Sequence, residues 1–143
     1  MKAQDLMTEN PGTCEASDTV RDAIDVMRDE DCGLIPITRG NGEARVVGVV
    51  TDRDIALYLG EEDKKPSEVL VEDVMTTDIV SCEPAADVAE VSRKMERAQV
   101  RRILVVENGR LRGVIAMADL ARETGPREAG RVIEKISEPG PSR

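Results

Sequence analysis

The feature that most constrains this chain is that it repeats itself. The segment DLMT, which begins at Asp5, recurs as DVMT from Asp73, 68 positions later. The second copy then lacks three residues. As a result, RVVGVVTDRDIA from Arg45 aligns with RLRGVIAMADLA from Arg110 at a spacing of 65. Self-similarity at a fixed spacing is typical of chains that are built from copies of one structural unit. We therefore expect two equivalent units.

Within each copy, the hydrophobic pattern changes in the same order. A short strand around Thr13 or Val80 precedes a helix whose apolar positions recur at intervals of three and four residues. Two strands joined by a glycine-containing turn follow, and the second strand runs directly into another helix. The two strands of each hairpin are predicted at residues 34–38 and 46–51 in the first copy and at 103–106 and 111–116 in the second, with turns at 40–42 and 108–109.

This order predicts an α+β fold made of two β-α-β-β-α repeats. Because a unit of this size buries little surface alone, the two copies are expected to pack sheet against sheet around one core, as one pseudo-two-fold module. The expected organisation is repeat 1 at residues 1–59, a polar linker at 60–72, repeat 2 at 73–125, and a short helix with a frayed tail at 126–143.

Composition and charge exclude several classes of function. The 143 residues include 20 basic and 29 acidic side chains, for a net charge of -9, and Tyr58 is the only aromatic residue. Such a chain repels phosphate backbones and has no platform on which bases could stack, so nucleic-acid binding is not expected. The N-terminus has no apolar signal core, and no apolar stretch is long enough to span a bilayer. A soluble, cytoplasmic protein is expected.

The absence of histidine and the small number of cysteines also limit the chemistry. Without histidine, Ser-His-Asp and Cys-His catalytic arrangements are impossible, and we assign no catalytic residue and expect no enzyme. Three cysteines without a CxxC pair predict neither a zinc site nor a disulfide framework. Cys14 and Cys82 occupy equivalent positions in the repeats and are expected to be small core residues, although a redox-active thiol is an alternative.

The motif VVGVVTDRD, at residues 46–54, ends a buried strand and begins a helix. Thr51 at the helix N-cap and Asp54 three residues later match a capping box, in which each side chain bonds the backbone N–H of the other residue. The same motif also suits a ligand, because free N–H groups, a hydroxyl and a carboxylate can bind phosphates and a ribose diol. The second copy keeps Asp119 but has Ala116 in place of the threonine, which predicts one good site and one degraded site.

Three arginines and a proline are further candidates for ligand contact. Arg101 and Arg102 begin a core strand of the second copy, where they form either a solvated charged edge or a phosphate clamp. Arg53 lies just inside the helix that follows Thr51 and is another candidate for phosphate binding. Pro36 interrupts the CGLIPI strand, and a proline in a strand marks an edge or an opening at which a planar base could enter.

Taken in order and seen twice, these motifs resemble the CBS domain, the cystathionine-beta-synthase-type module that occurs in tandem pairs. The resemblance rests on DLMT and DVMT, on GLIPI, and on GVVTDRDI and GVIAMADL, and it covers roughly residues 1–125. It implies a pair of CBS repeats without an attached enzyme or channel. It also implies a regulatory, energy- or metabolite-sensing module that binds AMP, ADP, ATP or S-adenosylmethionine in a cleft between the two copies.

The resemblance further implies which residues contact the ligand. These are Thr51 and Asp54 for the ribose, Pro36, Ile79 and Val80 for the adenine, Arg53, Arg101 and Arg102 for the phosphates, and Asp119 for a weak second site. No cofactor is required, and Mg²⁺ is expected only together with ATP. The implied partners are an adenosine-containing small molecule, a second copy of the chain in a closed homodimer, and an unidentified regulated protein.

Two alternatives to a ligand sensor stay open. One is an oligomerising interaction scaffold that binds no ligand, which Ala116 and the lack of base-stacking aromatic residues would favour. The other is a thiol redox sensor, which would form a disulfide under mild oxidation and change its oligomeric state.

Overall fold

The structure is a computed structural model, and it describes residues 1–40 and 42–138, except for the side chain of Glu128. The middle residue of the turn predicted at 40–42 and the frayed tail predicted after Glu138 lie outside the described residues. The order of helices and strands in the two halves of the chain confirms the α+β class and the two β-α-β-β-α repeats. Among the described residues, no helix is long and apolar enough to cross a membrane.

The four hairpin strands begin and end within one residue of the predicted positions. The elements of the first half are α1 (Ala3–Leu6), β1 (Thr8–Glu9), β2 (Cys14–Glu15), α2 (Val20–Glu30), β3 (Leu34–Arg39), β4 (Arg45–Thr51) and α3 (Asp52–Glu62). Two short 3₁₀ turns follow at Pro66–Glu68 and Val71–Asp73. The elements of the second half are β5 (Ser81–Cys82), α4 (Val88–Ala98), β6 (Arg102–Glu107), β7 (Arg110–Ala116), α5 (Met117–Glu123) and α6 (Pro126–Ser137).

The chain divides into two compact units. Of the described residues, those within Pro11–Ile79 form the first-repeat unit, and those within Met1–Asn10 and Val80–Arg143 form the second-repeat unit. The boundaries of the units therefore differ from those of the repeats, because the first ten residues pack with the second repeat. The buried residues also form two clusters, one in each unit, which corrects the expectation of one core.

In the first-repeat unit, β3 runs parallel to β2 and antiparallel to β4. Helix α2 begins at a capping box, in which Thr19 Oγ1 accepts from the Asp22 N–H at 3.2 Å and Asp22 Oδ2 accepts from the Thr19 N–H at 2.9 Å. The helix ends at Asp31, whose φ of 50° is left-handed. The core of this unit consists of Cys14, Ala16, Val20, Ala23, Ile35, Ile37, Val50, Ile55, Val69 and Val71.

The segment expected as a polar linker contributes to this core. Val69 and Val71 are buried, and their backbones are bound to the repeat. The Val69 carbonyl accepts from the Val20 N–H at 2.8 Å, and the Val71 N–H donates to the Asp18 carbonyl at 2.8 Å. Residues 66–76 are therefore part of the first-repeat unit, because their two apolar side chains fill its core.

In the second-repeat unit, β6 runs parallel to β5 and antiparallel to β7, which also pairs antiparallel with β1. The short helix predicted near the C-terminus is α6, which packs against α4 and α5 and buries Val132 and Ile136, while Ile133 stays 39% exposed. The core of this unit consists of Ala3, Cys82, Ala86, Val91, Met95, Ile103, Val105, Ile115, Leu120, Val132 and Ile136.

Each Met-Thr motif lies against a glycine in the middle of a strand. Thr8 pairs with Val114 of β7, and the position of a Cβ on Gly113 would lie 2.7 Å from the Thr8 carbonyl oxygen and 2.8 Å from the Met7 sulfur. Gly48 of β4 has the same relation to Met75 and Thr76, with separations of 2.8 and 2.9 Å. Each motif therefore packs in the unit of the other repeat, and only glycine permits this close approach.

We predict that Gly113→Ala lowers the free energy of unfolding by about 1–3 kcal/mol, because the added methyl overpacks the contact with Thr8. The measurement is urea denaturation followed by circular dichroism. The matched control is Gly60→Ala, which adds the same methyl to α3 in open space and should stabilise by up to about 1 kcal/mol through helix propensity. Equal effects of the two substitutions would contradict the packing argument.

Candidate functional site

The junction between β4 and α3 holds the strongest candidate site. Thr51 is the N-cap of α3, its hydroxyl accepts from the Asp54 N–H at 3.1 Å, and Asp54 Oδ2 accepts from the Thr51 N–H at 3.1 Å. The predicted capping box is thus confirmed. Both side chains are half-buried, and Asp54 Oδ1 has no partner within the described part of the chain. The box fixes the carboxylate and leaves one of its oxygens for a ligand.

The expectation of free N–H groups at this helix N-terminus is wrong. The Asp52 N–H donates to the Gly33 carbonyl at 3.0 Å, and the Arg53 N–H donates to Asp52 Oδ1 at 2.8 Å. Since the Asp54 N–H is bound to Thr51, the first three N–H groups of α3 all have acceptors. Two of these acceptors are the side-chain oxygens of Thr51 and Asp52, which reach the first turn of the helix as capping residues do. The third is the backbone carbonyl of Gly33.

Pro36 opens the strand ladder beside this junction. In the second-repeat unit, the Leu104 N–H donates to the Val80 carbonyl at 3.1 Å, which ties β6 to the residue that precedes β5. The equivalent residues in the first-repeat unit are Pro36 and Gly12, and proline has no N–H to donate. The Gly12 carbonyl therefore lacks this strand bond, as expected for a proline that opens a ladder.

The second repeat uses its equivalent carboxylate differently. Asp119 Oδ2 accepts from the Ala116 N–H at 2.8 Å, but Ala116 has no hydroxyl that could accept from the Asp119 N–H. Asp119 Oδ1 forms an ion pair with Arg122, one helical turn later in α5. The residue equivalent to Arg122 in the first repeat is Leu57, which is 53% exposed and carries no charge. Both oxygens of Asp119 are therefore occupied, whereas Asp54 keeps one available.

The other residues that were predicted to contact a ligand belong partly to the first-repeat unit and partly to the second-repeat unit. Arg53, on the first turn of α3, is exposed, and the half-buried Ile79 ends the first-repeat unit. In the second-repeat unit, Arg102 pairs with Ala116 across β6 and β7, and the Arg101 carbonyl accepts from the Met117 N–H at 2.8 Å. The two arginines therefore stand beside the start of α5, within the unit that contains Asp119 and Val80.

Sequence reasoning missed three residues that shape these junctions, namely Asp52, Leu57 and Arg122. Asp52 belongs to the TDRD motif but was not assigned a role, although an acidic residue in a first helical turn is a recognised acceptor for N–H groups. The other two could be found by aligning the two repeats one helical turn beyond the shared aspartate. At that position the first repeat has Leu57 and the second has Arg122.

The cysteines behave as core residues. Cys14 and Cys82 are each 3% exposed, and burial is the main cause that raises the pKa of both thiols to about 11. Thiolates are the reactive form of cysteine, so both thiols stay protonated and unreactive near neutral pH. Cys32 is half-buried, and all three cysteines are free. Among the described residues, no group of three or more His, Cys, Asp or Glu side chains could hold a metal ion.

The folded units and the arrangement at Thr51 and Asp54 define the chain as a tandem pair of small α+β modules. The family model for the CBS domain matches residues 3–61 and 71–125. The chain therefore belongs to the CBS domain family.

The chain is similar over most of its length to proteins of known sequence and structure. Protein YlbB of Bacillus subtilis (strain 168) is 40% identical over 138 residues, which cover 96% of this chain and 92% of YlbB. A putative acetoin utilization protein (AcuB) from Vibrio cholerae has a TM-score of 0.77 at 28% identity, covering 97% and 98% of the two chains. The structure of CBSX2 in complex with AMP has a TM-score of 0.72 at 26% identity, covering 85% of this chain and 94% of CBSX2.

We predict that the three thiols differ in reactivity toward a disulfide reagent such as 5,5′-dithiobis(2-nitrobenzoate). At pH 8, Cys32 should react in the native protein, while Cys14 and Cys82 should react only after denaturation, because burial excludes the reagent and disfavours the thiolate. The absorbance of the released thiolate counts the reacted groups. Cys32→Ser is the control, and it should leave the native protein unreactive. Rapid reaction of Cys14 or Cys82 would instead favour the redox-sensor alternative.

Proposed function

We propose that this protein is a non-catalytic regulatory module that binds an adenosine-containing ligand at the β4–α3 junction of the first-repeat unit. The observation that carries the proposal is the Asp54 carboxylate, which the capping box holds in place with Oδ1 available. A ribose presents two neighbouring hydroxyl donors, and a carboxylate oxygen is their usual acceptor in nucleotide sites. The proposed ligand class consists of AMP, ADP, ATP and S-adenosylmethionine, all of which contain this ribose.

The rest of the ligand can be assigned to further residues of the proposed site. The adenine would lie beside Pro36 and near Ile79 and Val80, where the open Gly12 carbonyl offers an acceptor for an exocyclic amine. Phosphates, where the ligand carries them, would meet Arg53, with Arg101 and Arg102 as the other candidates, and ATP would bring Mg²⁺. The complex of the related CBSX2 with AMP supports a ligand of this class.

Asp119 would contribute at most a weak second site. Its two oxygens already accept from Ala116 and Arg122, so a ribose would have to displace an ion pair. The proposed stoichiometry is therefore one strongly bound ligand per chain.

Regulation would follow if the ligand binds one arrangement of the protein more tightly than another, because only differential affinity shifts a conformational equilibrium. We propose a cytoplasmic homodimer that passes this change to a regulated protein, and energy sensing as the setting if the ligand is an adenine nucleotide. The first measurement is the ultraviolet spectrum of the natively purified protein. With Tyr58 as its only aromatic residue, the protein absorbs so weakly at 280 nm that a bound adenine would dominate.

The second candidate function is a scaffold that binds no ligand. The observation that favours it is the capping box itself, which gives Thr51 and Asp54 a complete structural role in starting α3. This candidate predicts a dimer whose melting temperature does not respond to any adenosine derivative. A ligand that binds the folded state would instead raise the melting temperature as its concentration rises.

We predict that Asp54→Ala weakens the binding of adenosine ligands about 10- to 100-fold, since hydrogen bonds to a charged group contribute about 1.5–3 kcal/mol. Isothermal titration calorimetry gives the affinity. Asp22→Ala is the matched control, because it removes the equivalent carboxylate from the capping box of α2, at a similar cost to folding and without touching the proposed site. Equal affinity of the wild type and Asp54→Ala would exclude this site and favour the scaffold.

We further predict that Leu57→Arg weakens the binding of adenosine at least threefold. The introduced guanidinium lies one turn from Asp54, where it can pair with Oδ1 as Arg122 pairs with Asp119, and the capping box stays intact. Adenosine is the probe because, having no charge, it is not attracted by the added arginine. The control is Ala56→Arg, which adds the same charge two residues from Asp54, where side chains do not face each other. Unchanged affinity in Leu57→Arg would refute the role of Oδ1.

A further inference from the structure

The carboxylate of Asp52 lies beside the proposed site and has no role in the proposed function. From its position we infer, on the basis of that function, that Asp52 selects against a 5′-phosphate. The ligand of this site is then an adenosine derivative whose 5′ substituent is uncharged or cationic.

The Asp52 side chain lies at the β4–α3 junction, and one hydrogen bond and one close approach define its position. Its Oδ1 accepts from the Arg53 N–H at 2.8 Å, and its Oδ2 lies 2.9 Å from the position that a Cβ on Gly33 would occupy. The carboxylate thus covers the glycine that precedes β3. It also takes the place at the start of α3 that a bound anion usually occupies at a helix N-terminus.

No N–H group in the first three positions of α3 is left for a phosphate. Those of Asp52, Arg53 and Asp54 donate to Gly33, Asp52 and Thr51, respectively. A phosphate could gain the Arg53 N–H only by displacing the Asp52 carboxylate, which is itself an anion. The helix start therefore offers a phosphate no net gain.

Charge adds to this geometric argument. Asp52 and Asp54 lie two residues apart on one helical turn, so a ligand whose ribose binds Asp54 carries its 5′ group within about 10 Å of Asp52, roughly one Debye length. A phosphate monoester carries a charge of about -1.5 to -2 at pH 7. Arg53 balances only one of the two carboxylates, and the exposed guanidinium is well hydrated. The local field thus opposes a phosphate and favours a neutral or positive group.

The second repeat indicates that this charge is not needed for the fold. There, Met117 stands where the first repeat has Asp52, and Arg101 stands where it has Gly33. The Met117 N–H still donates to the Arg101 carbonyl at 2.8 Å, which matches the bond from Asp52 to Gly33 at 3.0 Å. The backbone geometry is therefore kept while the charge beside it is reversed, so the carboxylate of Asp52 is free to serve specificity.

The test compares three ligands by titration calorimetry on the full chain. The probes are 5′-methylthioadenosine, which is neutral, S-adenosylmethionine, which carries a cationic sulfonium, and AMP. The wild type should bind 5′-methylthioadenosine at least tenfold more tightly than AMP. Asp52→Asn should narrow that ratio about tenfold, mainly through tighter binding of AMP, because the amide oxygen keeps the bond from Arg53 while the charge is lost. Asp52→Ser is a second variant with the same expectation, for use if the first fails to fold.

The matched control is Glu61→Gln, which removes one negative charge from the other end of α3 and should leave the ratio unchanged. Two results would overturn the inference and leave the proposed function intact. One is that the wild type binds AMP as tightly as 5′-methylthioadenosine. The other is that the ratio of the two affinities is the same in Asp52→Asn as in the wild type. If the wild type binds ADP or ATP but neither 5′-methylthioadenosine nor S-adenosylmethionine, the inference likewise fails alone. If it binds none of the three probes and neither ADP nor ATP, the proposed function fails, and the inference fails with it.

Discussion

The close approach of a Met-Thr segment to a glycine in the middle of a strand is the contact on which both units depend. At Gly113 and at Gly48, the space that a Cβ would need is filled by a backbone oxygen and a methionine sulfur. In the first-repeat unit, the Val49 N–H and carbonyl also exchange hydrogen bonds with Thr76 at 2.9 and 2.8 Å. Each Met-Thr segment thus pairs with the strand that carries the glycine, and this pairing supplies partners for strand N–H and carbonyl groups.

This contact also explains which parts of the fold could be predicted from the sequence. Helices α2 and α4 follow from local apolar spacing. The hairpins follow from alternating residues and turns, and their strands begin and end within one residue of the predicted positions. The exchange of the Met-Thr segments depends on contacts between residues far apart in the chain, such as Thr8 and Val114. A repeat pattern shows that two segments are equivalent, but it does not show with which copy each one packs.

The candidate site was predictable only in part for a related reason. A threonine followed three residues later by aspartate has the same geometry in a helix cap and in a ribose site, so the motif predicts both. What distinguishes the copies is the second carboxylate oxygen, which is available on Asp54 and paired with Arg122 on Asp119. That difference lies one helical turn away from the motif, at a position where no recognised pattern directs attention. The free N–H groups were wrongly expected because the acceptor role of Asp52 depends on its rotamer, which sequence spacing does not specify.

The two copies therefore share the positions that hold the backbone and differ at the positions of the proposed ligand site. Gly48 and Gly113 are the same residue in both copies because the covering Met-Thr segment leaves no space for a side chain. Val50 and Ile115 are both aliphatic and fully buried because they lie in the cores. By contrast, the polar residues around the two helix starts differ in charge and in hydrogen bonding, although the helices begin in the same way. In each copy one oxygen of the aspartate accepts from the backbone N–H of the N-cap residue. Since this bond is enough to begin each helix, the second carboxylate oxygen and the neighbouring charges are not constrained by folding. A duplicated unit with this property can retain one binding site while the other closes, without loss of the fold.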